Sequence, residues 1–504
     1  MQILWLKRDL RLQDNAALRL GIGRASSHGA VLPVYLHEPA LIICPDHAAQ
    51  HTGFLRETLD ELGHDIAARG GTLLELAGDA VDVFETLWQK TRFSTLLAHQ
   101  ETGNQASFAR DIQVRAWCRT RGVTLFELEQ NAVRRGHAFR EQGFAFKAHL
   151  ESACATAPWR PDDVLPFAIP PVPSCDPATR GVGVGADKAG RLRGGRSHAE
   201  RYLADFVDTE KLMAYPSAIS SPNTAPTGCS RLSPYLAFGV LSDREIFHSL
   251  NSMVDAASTQ MGASESKSLQ SSVQFYAERL YWRSAYLQKF EQHIETESAH
   301  DLAAFGTVRE GEIDLEWLTA WKEGCTGYPM VDAAMTMLAD TGWLNMRLRG
   351  TVVSFAVNEL WLPWQEVGIH LAREFLDYEP GIHWNQLQIH AGTSRLGGPL
   401  TYNPVKQALD HDAKGLFVKQ WLPALANVPL SHITEPWRMT AAMQEAIGCR
   451  IGVDYPTPIV THQAANDAAR LRVAALREGK PVPNTVYWRR RAQERMQEKQ
   501  SGLF

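Results

Sequence analysis

The sequence has few cysteines and places no two of them at metal-binding spacing. Its seven cysteines are scattered over 504 residues, and no Cys-x-x-Cys pair occurs. A compact zinc site or an iron–sulfur cluster is therefore not predicted. The odd number of thiols favours a reducing compartment over a disulfide framework.

Long apolar runs and an excess of cations are also missing. No apolar run reaches the roughly 20 residues that a membrane-spanning helix needs. The opening MQILWLKRDLRL is charged by its seventh residue and lacks the apolar core of a signal peptide. The formal net charge is −5, so any nucleic-acid contact has to use a local basic surface. We expect a cytoplasmic monomer without a membrane partner.

Short apolar runs alternate with helical stretches over the first 130 residues. The strand-like runs are ILWLK, AVLPVYL, GTLLEL, STLLAH and VTLFELE. This alternation predicts an α/β domain over 1–130 with a doubly wound parallel sheet. Such sheets bind ligands beyond the carboxyl ends of their strands, where the segments KRDLRLQDN and HQETGN lie. These segments either line a pocket or form turns in which Asp14 and Asn104 cap the next helices.

A stretch rich in proline and glycine divides the chain. Proline removes backbone donors, so PWRPDDVLPFAIPPVPSCDP is not expected to be helical. We predict a linker over 131–197. Helical apolar spacing then predicts an all-α domain over 198–480, followed by a charged tail over 481–504.

The segment TGCSRLSPYLAFGVLSDREIF contains two helix-start signals. Ser233 stands before a proline and is the expected N-cap, and Ser242 with Glu245 has the spacing of a capping box. Ser230 and Arg231 add a hydroxyl and a cation ahead of the first start. Together they suggest an anion site, and ordinary capping is the alternative.

Several long motifs occur in the order found in one known family. ILWLKRDLRLQDNAAL, SRLSPYLAFGVLS, LYWRSAY, AWKEGCTGYPMVDAAMTMLADTGWLNMRLRG, LDYEP and YPTPIVTH resemble segments of the DNA photolyase/cryptochrome family. The resemblance covers nearly the whole chain. It implies an antenna domain, a linker and a helical domain that holds FAD in a bent conformation.

The resemblance also implies roles for individual residues toward FAD. Arg349 and Asp377 would form an ion pair beside the flavin ring, because reduced flavin is an anion that favours a fixed cation. The polar segment LDYEPGIHWNQLQIHAGTSRLGG would be a turn around the ring, in which His383 or else Asn385 faces flavin N5. The other residues implied for the cofactor are Tyr215, Cys229, Ser230, Arg231, Leu232, Ser233, Arg283, Asn345 and Glu379.

Further roles concern DNA and electron transfer. Trp282 matches the family's dimer-stacking tryptophan, and Arg347 and Lys406 are candidate phosphate contacts. Trp364 matches the middle member of the family's three-tryptophan chain. The segment HWNQLQI stands where the family has its Gly-Gly-Trp-Gln-Trp stretch, so the family's tryptophan nearest the flavin is missing at its usual position. Trp384, within this segment, would replace it through a local shift.

Several departures from the family pattern affect the functional hypothesis. Arg279 stands where the family's repair enzymes have Glu, and the outer tryptophan of the chain is missing near Gly311. We predict a blue-light-dependent DNA repair flavoprotein that splits pyrimidine dimers. The alternatives are a cryptochrome-like photoreceptor with a signalling partner and a flavoprotein with dark redox chemistry. An antenna chromophore of unknown identity is expected near Glu101 and Asn104.

Overall fold

The computed structural model describes residues 1–139, 142–155, 183–300, 309, 313–396, 399–478 and 480. The centre of the predicted linker, 156–182, and the predicted tail, 481–504, lie outside the described residues.

Five parallel strands form one sheet. They are β1 (Gln2–Leu6), β2 (Val31–His37), β3 (Leu74–Ala77), β4 (Thr95–His99) and β5 (Thr124–Leu128). The order is β3-β2-β1-β4-β5, so β1 lies at the centre between β2 and β4. The predicted doubly wound α/β fold is confirmed, with all five predicted strands.

The central strand is buried on both faces. Ile3 and Trp5 belong to one apolar cluster, and Leu4 and Leu6 belong to another. Successive side chains of a strand point to opposite faces, so helices must cover both sides of the sheet. This explains why the strands read as continuous apolar runs in the sequence.

Helices follow the strands and make up most of the remaining structure. The α-helices are Ala16–His28, Pro39–Ile42, Ala49–Ala67, Ala80–Thr91, Gln105–Arg121, Gln142–Glu151, Arg196–Phe206, Thr209–Ala218, Ala225–Gly228, Ser233–Ala237, Asp243–Ser258, Ala263–Gln292, Leu315–Lys322, Pro329–Thr341, Met346–Ser354, Trp364–Glu374, Pro380–Ala391, Pro404–His411, Leu416–Trp421, Ala441–Ile447 and His462–Arg477. One π-helical turn spans Phe355–Glu359, and 3₁₀ turns span Ile294–Glu297, Pro423–Leu425 and Pro436–Arg438. Within the described ranges, no helix is long and apolar enough to cross a membrane.

Two of the predicted helix starts are confirmed. Asn104 is the N-cap of the Gln105–Arg121 helix, and its side chain accepts the Ser107 N–H at 3.1 Å. Ser242 and Glu245 form the predicted capping box at the start of Asp243–Ser258.

The predicted capping role of Asp14 is wrong. Asn15 is the N-cap of the first helix and accepts the Leu18 N–H at 2.9 Å. Asp14 has a left-handed backbone with φ of 47°. Its carboxylate instead accepts the Ala155 N–H at 2.7 Å and pairs with Arg244. Long-range partners therefore take the acid away from the helix start.

The chain divides into two compact units. The first comprises Met1–Pro216, Ser230–Glu297 and Leu376–Ile382, and the second comprises Ser217–Cys229, Ser298–Phe375 and His383–Phe504. The first unit contains the sheet and the long Ala263–Gln292 helix. The second contains the Met346–Ser354 and Trp364–Glu374 helices. The domain boundaries predicted from the sequence stay predictions.

Candidate functional site

A cleft lies at the carboxyl edge of the sheet, in the first unit. It encloses about 1000 Å³, including space open to solvent. Lys7 and Arg8 line it after β1, Glu38 after β2, and Glu101 and Asn104 after β4. Parallel sheets bind ligands where the strand order changes direction, which here is the neighbourhood of β1 and β4. Both segments singled out from the sequence thus contribute to a pocket, in addition to any role in turns.

The wall of the cleft carries a buried charge cluster. Arg110 donates to Glu38 at 2.7 Å and to Asp111 at 2.9 Å, and it also pairs with Glu101. Burial raises the pKa of Glu38 to about 7, against the opposing effect of Arg110. Burial also acts on Asp111, but Lys7 and Arg110 lower the pKa of that carboxyl to about 2. The cleft therefore offers both fixed charges and a carboxyl that can hold a proton near neutral pH.

Aromatic and imidazole rings form the rim of the cleft. The Tyr378 hydroxyl donates to Asp46 at 2.8 Å, and its ring stacks on His51 with centroids 6.4 Å apart. Asn104 donates to the same Asp46 carboxylate at 3.1 Å. Burial lowers the pKa of His47 to about 4, which leaves that ring neutral. The flat rings of His51 and Tyr378 suit a planar ligand.

A bidentate ion pair is buried elsewhere in the first unit. Arg283 donates to the two oxygens of Glu379 at 2.6 and 2.8 Å and to the Leu236 carbonyl at 3.1 Å. Both charged side chains are only 9% exposed. The resemblance implied Arg283 and Glu379 as separate cofactor residues, and their pairing was not predicted. A fork-to-fork contact fixes both side chains in position.

Trp282 precedes that arginine on the helix but is much more exposed. It is 40% exposed, although the same helix buries Arg283. Its ring lies 5.5 Å from Tyr281 and 5.9 Å from Tyr286. One turn earlier, Arg279 pairs with the neighbouring Glu278 at 2.7 Å. The helix thus presents an aromatic surface beside an exposed ion pair.

The segment around Ser230 and Arg231, where the sequence suggests an anion site, has a strained backbone. It does not have the predicted Ser233 cap. Arg231 has a left-handed φ of 56°, and Tyr276 donates to the Ser230 hydroxyl at 3.2 Å. The following helix begins at Ser233, and Leu232 occupies the N-cap position without a side-chain bond. Ser233 is therefore not the N-cap, because Leu232 already has helical dihedral angles.

The neighbouring predicted cofactor residues are held by local packing. Tyr215 is buried and meets Phe206 and Tyr276 edge-on, with ring centroids 5.4 and 5.5 Å apart. Cys229 follows the short Ala225–Gly228 helix and is partly buried. Their roles toward FAD stay predictions.

Asn345 and Arg349 lie at the start of the Met346–Ser354 helix in the second unit. The Asn345 amide nitrogen donates to the Ile219 carbonyl at 2.9 Å. Its amide oxygen is buried and accepts no hydrogen bond within the described structure. The Arg349 guanidinium lies 4.1 Å from the centre of the Phe375 ring. A buried acceptor without a hydrogen bond in the described residues fits a ligand that brings its own N–H or O–H donor.

The predicted pairing of Arg349 with Asp377 stays a prediction. Arg349 belongs to the second unit and Asp377 to the first.

The sequence analysis predicted a turn for the polar segment after Asp377, and this prediction is wrong. It forms the Pro380–Ala391 helix, whose buried positions include Trp384 and Asn385. The His383 ring lies 2.9 Å from the Gly368 carbonyl, measured from Nε2. Proline at the first position suits a helix start, and packing outweighs the polar composition.

Two predicted electron-transfer residues are neighbours in the second unit. The rings of Trp364 and Trp384 are 5.9 Å apart at 74°. A Cβ on Gly368 would lie only 2.3 Å from Cζ3 of Trp384, so the indole occupies space that only glycine leaves open. The structure thus brings together the pair named from the sequence, and its electron-transfer role stays a prediction.

The predicted phosphate contacts are less constrained. Arg347 lies 5.6 Å from the centre of the Tyr402 ring. Lys406 is exposed and pairs with Asp410 at 2.8 Å, four residues later on the same helix. Exposed pairs of this type are weak. The phosphate roles of Arg347 and Lys406 stay predictions.

Sequence reasoning missed several residues that shape these sites. Glu38 and Arg110 gave no motif, although Glu38 follows a predicted strand. Tyr378 stands inside LDYEP, where only the acids were considered. Gly368 and His300 carried no signal, because their importance depends on the tryptophans that pack against them.

Two family models match the chain. The model described as "DNA photolyase" matches residues 2–145, and the one described as "FAD binding domain of DNA photolyase" matches residues 275–475. Together they include the sheet and both groups of candidate cofactor residues around Arg283 and Arg349.

Individual proteins give the same picture. The chain is 27% identical to Cryptochrome-2 of Arabidopsis thaliana over 94% of this chain and 79% of that protein. It is 32% identical to the deoxyribodipyrimidine photo-lyase of Alkalihalophilus pseudofirmus over 53% of each. Its fold is similar to an archaeal photolyase from Sulfolobus tokodaii crystallised with two FAD molecules, with a TM-score of 0.73, 24% identity, and 93% and 98% of the two chains covered.

Proposed function

Because the chain belongs to the DNA photolyase/cryptochrome family, we propose that it is a blue-light-dependent DNA repair enzyme that splits pyrimidine dimers by electron transfer. At the level of the family, the chain is a lyase-like flavoprotein with an FAD-binding domain. The finer statement, that this member repairs dimers, is the proposal.

The residues present fit FAD. The buried Asn345 oxygen without a hydrogen bond in the described structure needs a donor, which an FAD N–H or O–H can supply. Arg349 lies on the helix that begins after Asn345, and it offers a cation held against the Phe375 ring. Such a cation suits an anionic cofactor. When bound and reduced, FAD supplies an electron donor that blue light excites. We assign its binding to Tyr215, Cys229, Ser230, Arg231, Leu232, Ser233, Arg283, Asn345, Arg349, Asp377, Glu379, His383 and Asn385.

The contrast between Trp282 and Arg283 carries the repair proposal. Arg283 is locked to Glu379, so the helix is held firmly while Trp282 stays 40% exposed beside Tyr281 and Tyr286. An exposed, rigid aromatic surface stabilises a base that has left the duplex stack. A damaged pair is the easiest to extrude, which favours a lesion over normal DNA.

Arg347 and Lys406 are the proposed phosphate contacts. The chain carries a net charge of −5, so binding has to rest on a small number of local cations. Phosphate contacts of this kind position DNA without reading its sequence.

The cleft of the first unit is the proposed site of a second chromophore. Its rim carries stacked His51 and Tyr378, and its wall carries Arg110 and the proton-holding Glu38. A planar heteroaromatic molecule would meet ring faces, hydrogen-bond donors and acceptors there. Extraction of the purified protein tests this, because recovery of FAD as its one pigment would contradict it.

One observation favours the second candidate, a blue-light photoreceptor without repair activity. Arg279 occupies the position where the resemblance predicts Glu, and it pairs with Glu278 near the Trp282 surface. The loss of an acid there removes a contact that repair would use.

The test is a repair assay with the chemically reduced protein. We expect blue light, but not darkness, to remove a thymine dimer from a synthetic oligonucleotide. Trp282→Ala should reduce the efficiency by about 5- to 150-fold, since stacking contributes about 1–3 kcal/mol per base. Phe144→Ala, another exposed aromatic of the first unit, is the matched control. No light-dependent loss of a cyclobutane or a (6–4) lesion would favour the photoreceptor.

A further inference from the structure

A hydrogen bond joins Trp364 to His300. The Trp364 indole N–H donates to His300 Nδ1 at 3.1 Å, and the two rings meet edge-on with centroids 5.4 Å apart. Trp364 is fully buried, so this bond satisfies the one polar atom of its side chain. A buried indole N–H usually finds a hydrogen-bond partner, and here the acceptor is a base.

The geometry fixes the tautomer of His300. Nδ1 accepts the indole proton and therefore carries a lone pair, which puts the imidazole proton on Nε2. Nε2 is buried and has no hydrogen-bond partner in the described part of the chain. Burial and the nearby Arg309 guanidinium lower the pKa of His300 to about 4, so the ring is neutral and able to take a proton.

Trp364 also has a neighbour through which an electron can leave. The Trp384 ring lies 5.9 Å away, and Gly368 leaves the space that keeps it there. His383 meets the other side of Trp384 with ring centroids 4.9 Å apart. The order His300–Trp364–Trp384 therefore places a proton acceptor at one end of an indole pair.

We propose that His300 is the proton acceptor that converts oxidised Trp364 into a neutral radical. The inference rests on the proposed flavin function, since the oxidant is a light-excited oxidised flavin. A bound flavin would supply the oxidant, and the loss of one electron from Trp364 by way of Trp384 would leave an indole radical cation on Trp364. The Nε1–H bond of Trp364 then breaks, and its proton forms a bond to His300 Nδ1, giving an indolyl radical and an imidazolium. Return of the electron and the proton restores the starting state.

The consequence is a longer-lived separation of charge. An oxidised indole is a much stronger acid than a neutral one, so even a weak base such as His300 can take its proton. Electron return to the neutral radical requires the proton to move back as well, and this slows recombination. In a three-tryptophan chain, the outer tryptophan holds the oxidised state away from the flavin. This chain lacks that tryptophan, and proton transfer to His300 would stabilise the oxidised Trp364 instead.

Two substitutions separate proton transfer from hydrogen bonding. His300→Gln keeps an acceptor for the indole N–H but removes the base, and His300→Phe removes both. His370→Phe is the matched control, because His370 meets Trp321 edge-on at 5.4 Å while the Trp321 N–H donates to the Val352 carbonyl.

The experiment is transient absorption of the oxidised, FAD-loaded protein after a blue flash, in H₂O and D₂O. We expect the neutral tryptophan radical in the wild type and in His370→Phe, formed more slowly in D₂O. Both His300 variants should retain the radical cation, with deprotonation slowed about 100-fold or more. Deprotonation at the wild-type rate in His300→Gln would overturn the proposal, as would the absence of any tryptophan radical in the FAD-loaded wild type. Failure of dimer repair by chemically reduced protein would count against the proposed function alone, because that assay does not use this step.

Discussion

Among single side chains, the Arg283–Glu379 pair has the clearest energetic consequence. Arg283→Met would leave the Glu379 carboxylate buried without its cation, which costs about 3–5 kcal/mol. Arg283→Met combined with Glu379→Gln should cost less than the single change, because no buried charge is left. Urea unfolding followed by circular dichroism, with and without added FAD, measures both variants.

Arg279→Met provides the control for this pair. Arg279 lies on the same helix, but its pair with Glu278 is 41% and 49% exposed. Exposed pairs contribute about 0–1 kcal/mol, so little change is expected. Equal losses from Arg279→Met and Arg283→Met would show that burial does not determine the strength of these pairs.

Glu38 predicts a dependence of stability on pH. Its pKa is about 7 in the folded protein against an ordinary value of 4.5. Below pH 4.5 the carboxyl is protonated in both states and carries no penalty. As the pH rises from about 4.5 to about 7, the unfolded chain loses the proton first, so stability falls by up to about 3 kcal/mol.

Glu38→Gln should remove this loss. The unfolding free energy of the variant, relative to the wild type, should increase between pH 5 and pH 8. Glu265→Gln, at an exposed position of the Ala263–Gln292 helix, should follow the wild type. An unchanged pH dependence in Glu38→Gln would mean that Arg110 keeps the carboxylate charged throughout this range.

The sequence identified many individual residues but few of their partners. Glu101 and Asn104 could be placed at a strand end because strands and turns have local signals. The partner of Arg283 is 96 residues away, and no local pattern distinguishes Glu379 from Asp377 as its acid. His300 was missed for the same reason, since a histidine gains meaning only from the indole that it contacts.

Among the helices, Gly368 makes a packing prediction. Alanine is normally favoured over glycine inside a helix by about 0.5–1 kcal/mol. At this position, however, a Cβ would lie 2.3 Å from Trp384 and 2.7 Å from Leu387. Gly368→Ala should therefore destabilise the protein by about 1–3 kcal/mol and change the near-ultraviolet circular dichroism of Trp384.

Gly23→Ala is the matched control for helix propensity. Gly23 lies inside the Ala16–His28 helix, and a Cβ there would meet nothing within 4 Å. The substitution should stabilise the protein by about 0.5–1 kcal/mol. If Gly368→Ala stabilised the protein as much as Gly23→Ala, the Trp384 ring would have to move away from the new methyl group without cost. The packing of Trp384 would then not depend on glycine at position 368.

The strands were predictable, while the Pro380–Ala391 helix was not. Buried parallel strands have apolar runs of characteristic length, and all five were found. The helix was taken for a turn because its polar residues hide the apolar spacing. Gly381 gave no signal either, although a Cβ there would lie only 3.0–3.1 Å from atoms of Leu287 and Phe290, which belong to the same unit.

For the protein as a whole, cofactor binding and DNA binding should be separable on one helix. Arg347 and Arg349 both lie on Met346–Ser354, but Arg347 lies against Tyr402 and Arg349 against Phe375. We propose that the first contacts DNA phosphate and the second FAD. Substituting each by methionine keeps an unbranched apolar side chain and removes the charge.

The two variants should therefore fail in different assays. Arg349→Met should lose FAD, and with it the stabilisation of about 2.7 kcal/mol that FAD at 100 times its Kd gives the wild type. Arg347→Met should keep FAD but lower the slope of log K against log salt for duplex DNA by about 0.9, because one phosphate contact is lost. Thermal unfolding with added FAD and DNA-binding titrations at several salt concentrations measure the two effects.

Loss of FAD in both variants, or an unchanged salt dependence in Arg347→Met, would mean that the chain does not divide cofactor and phosphate recognition between these arginines. Because the net charge of −5 opposes DNA, the loss of one local cation should be measurable against that background.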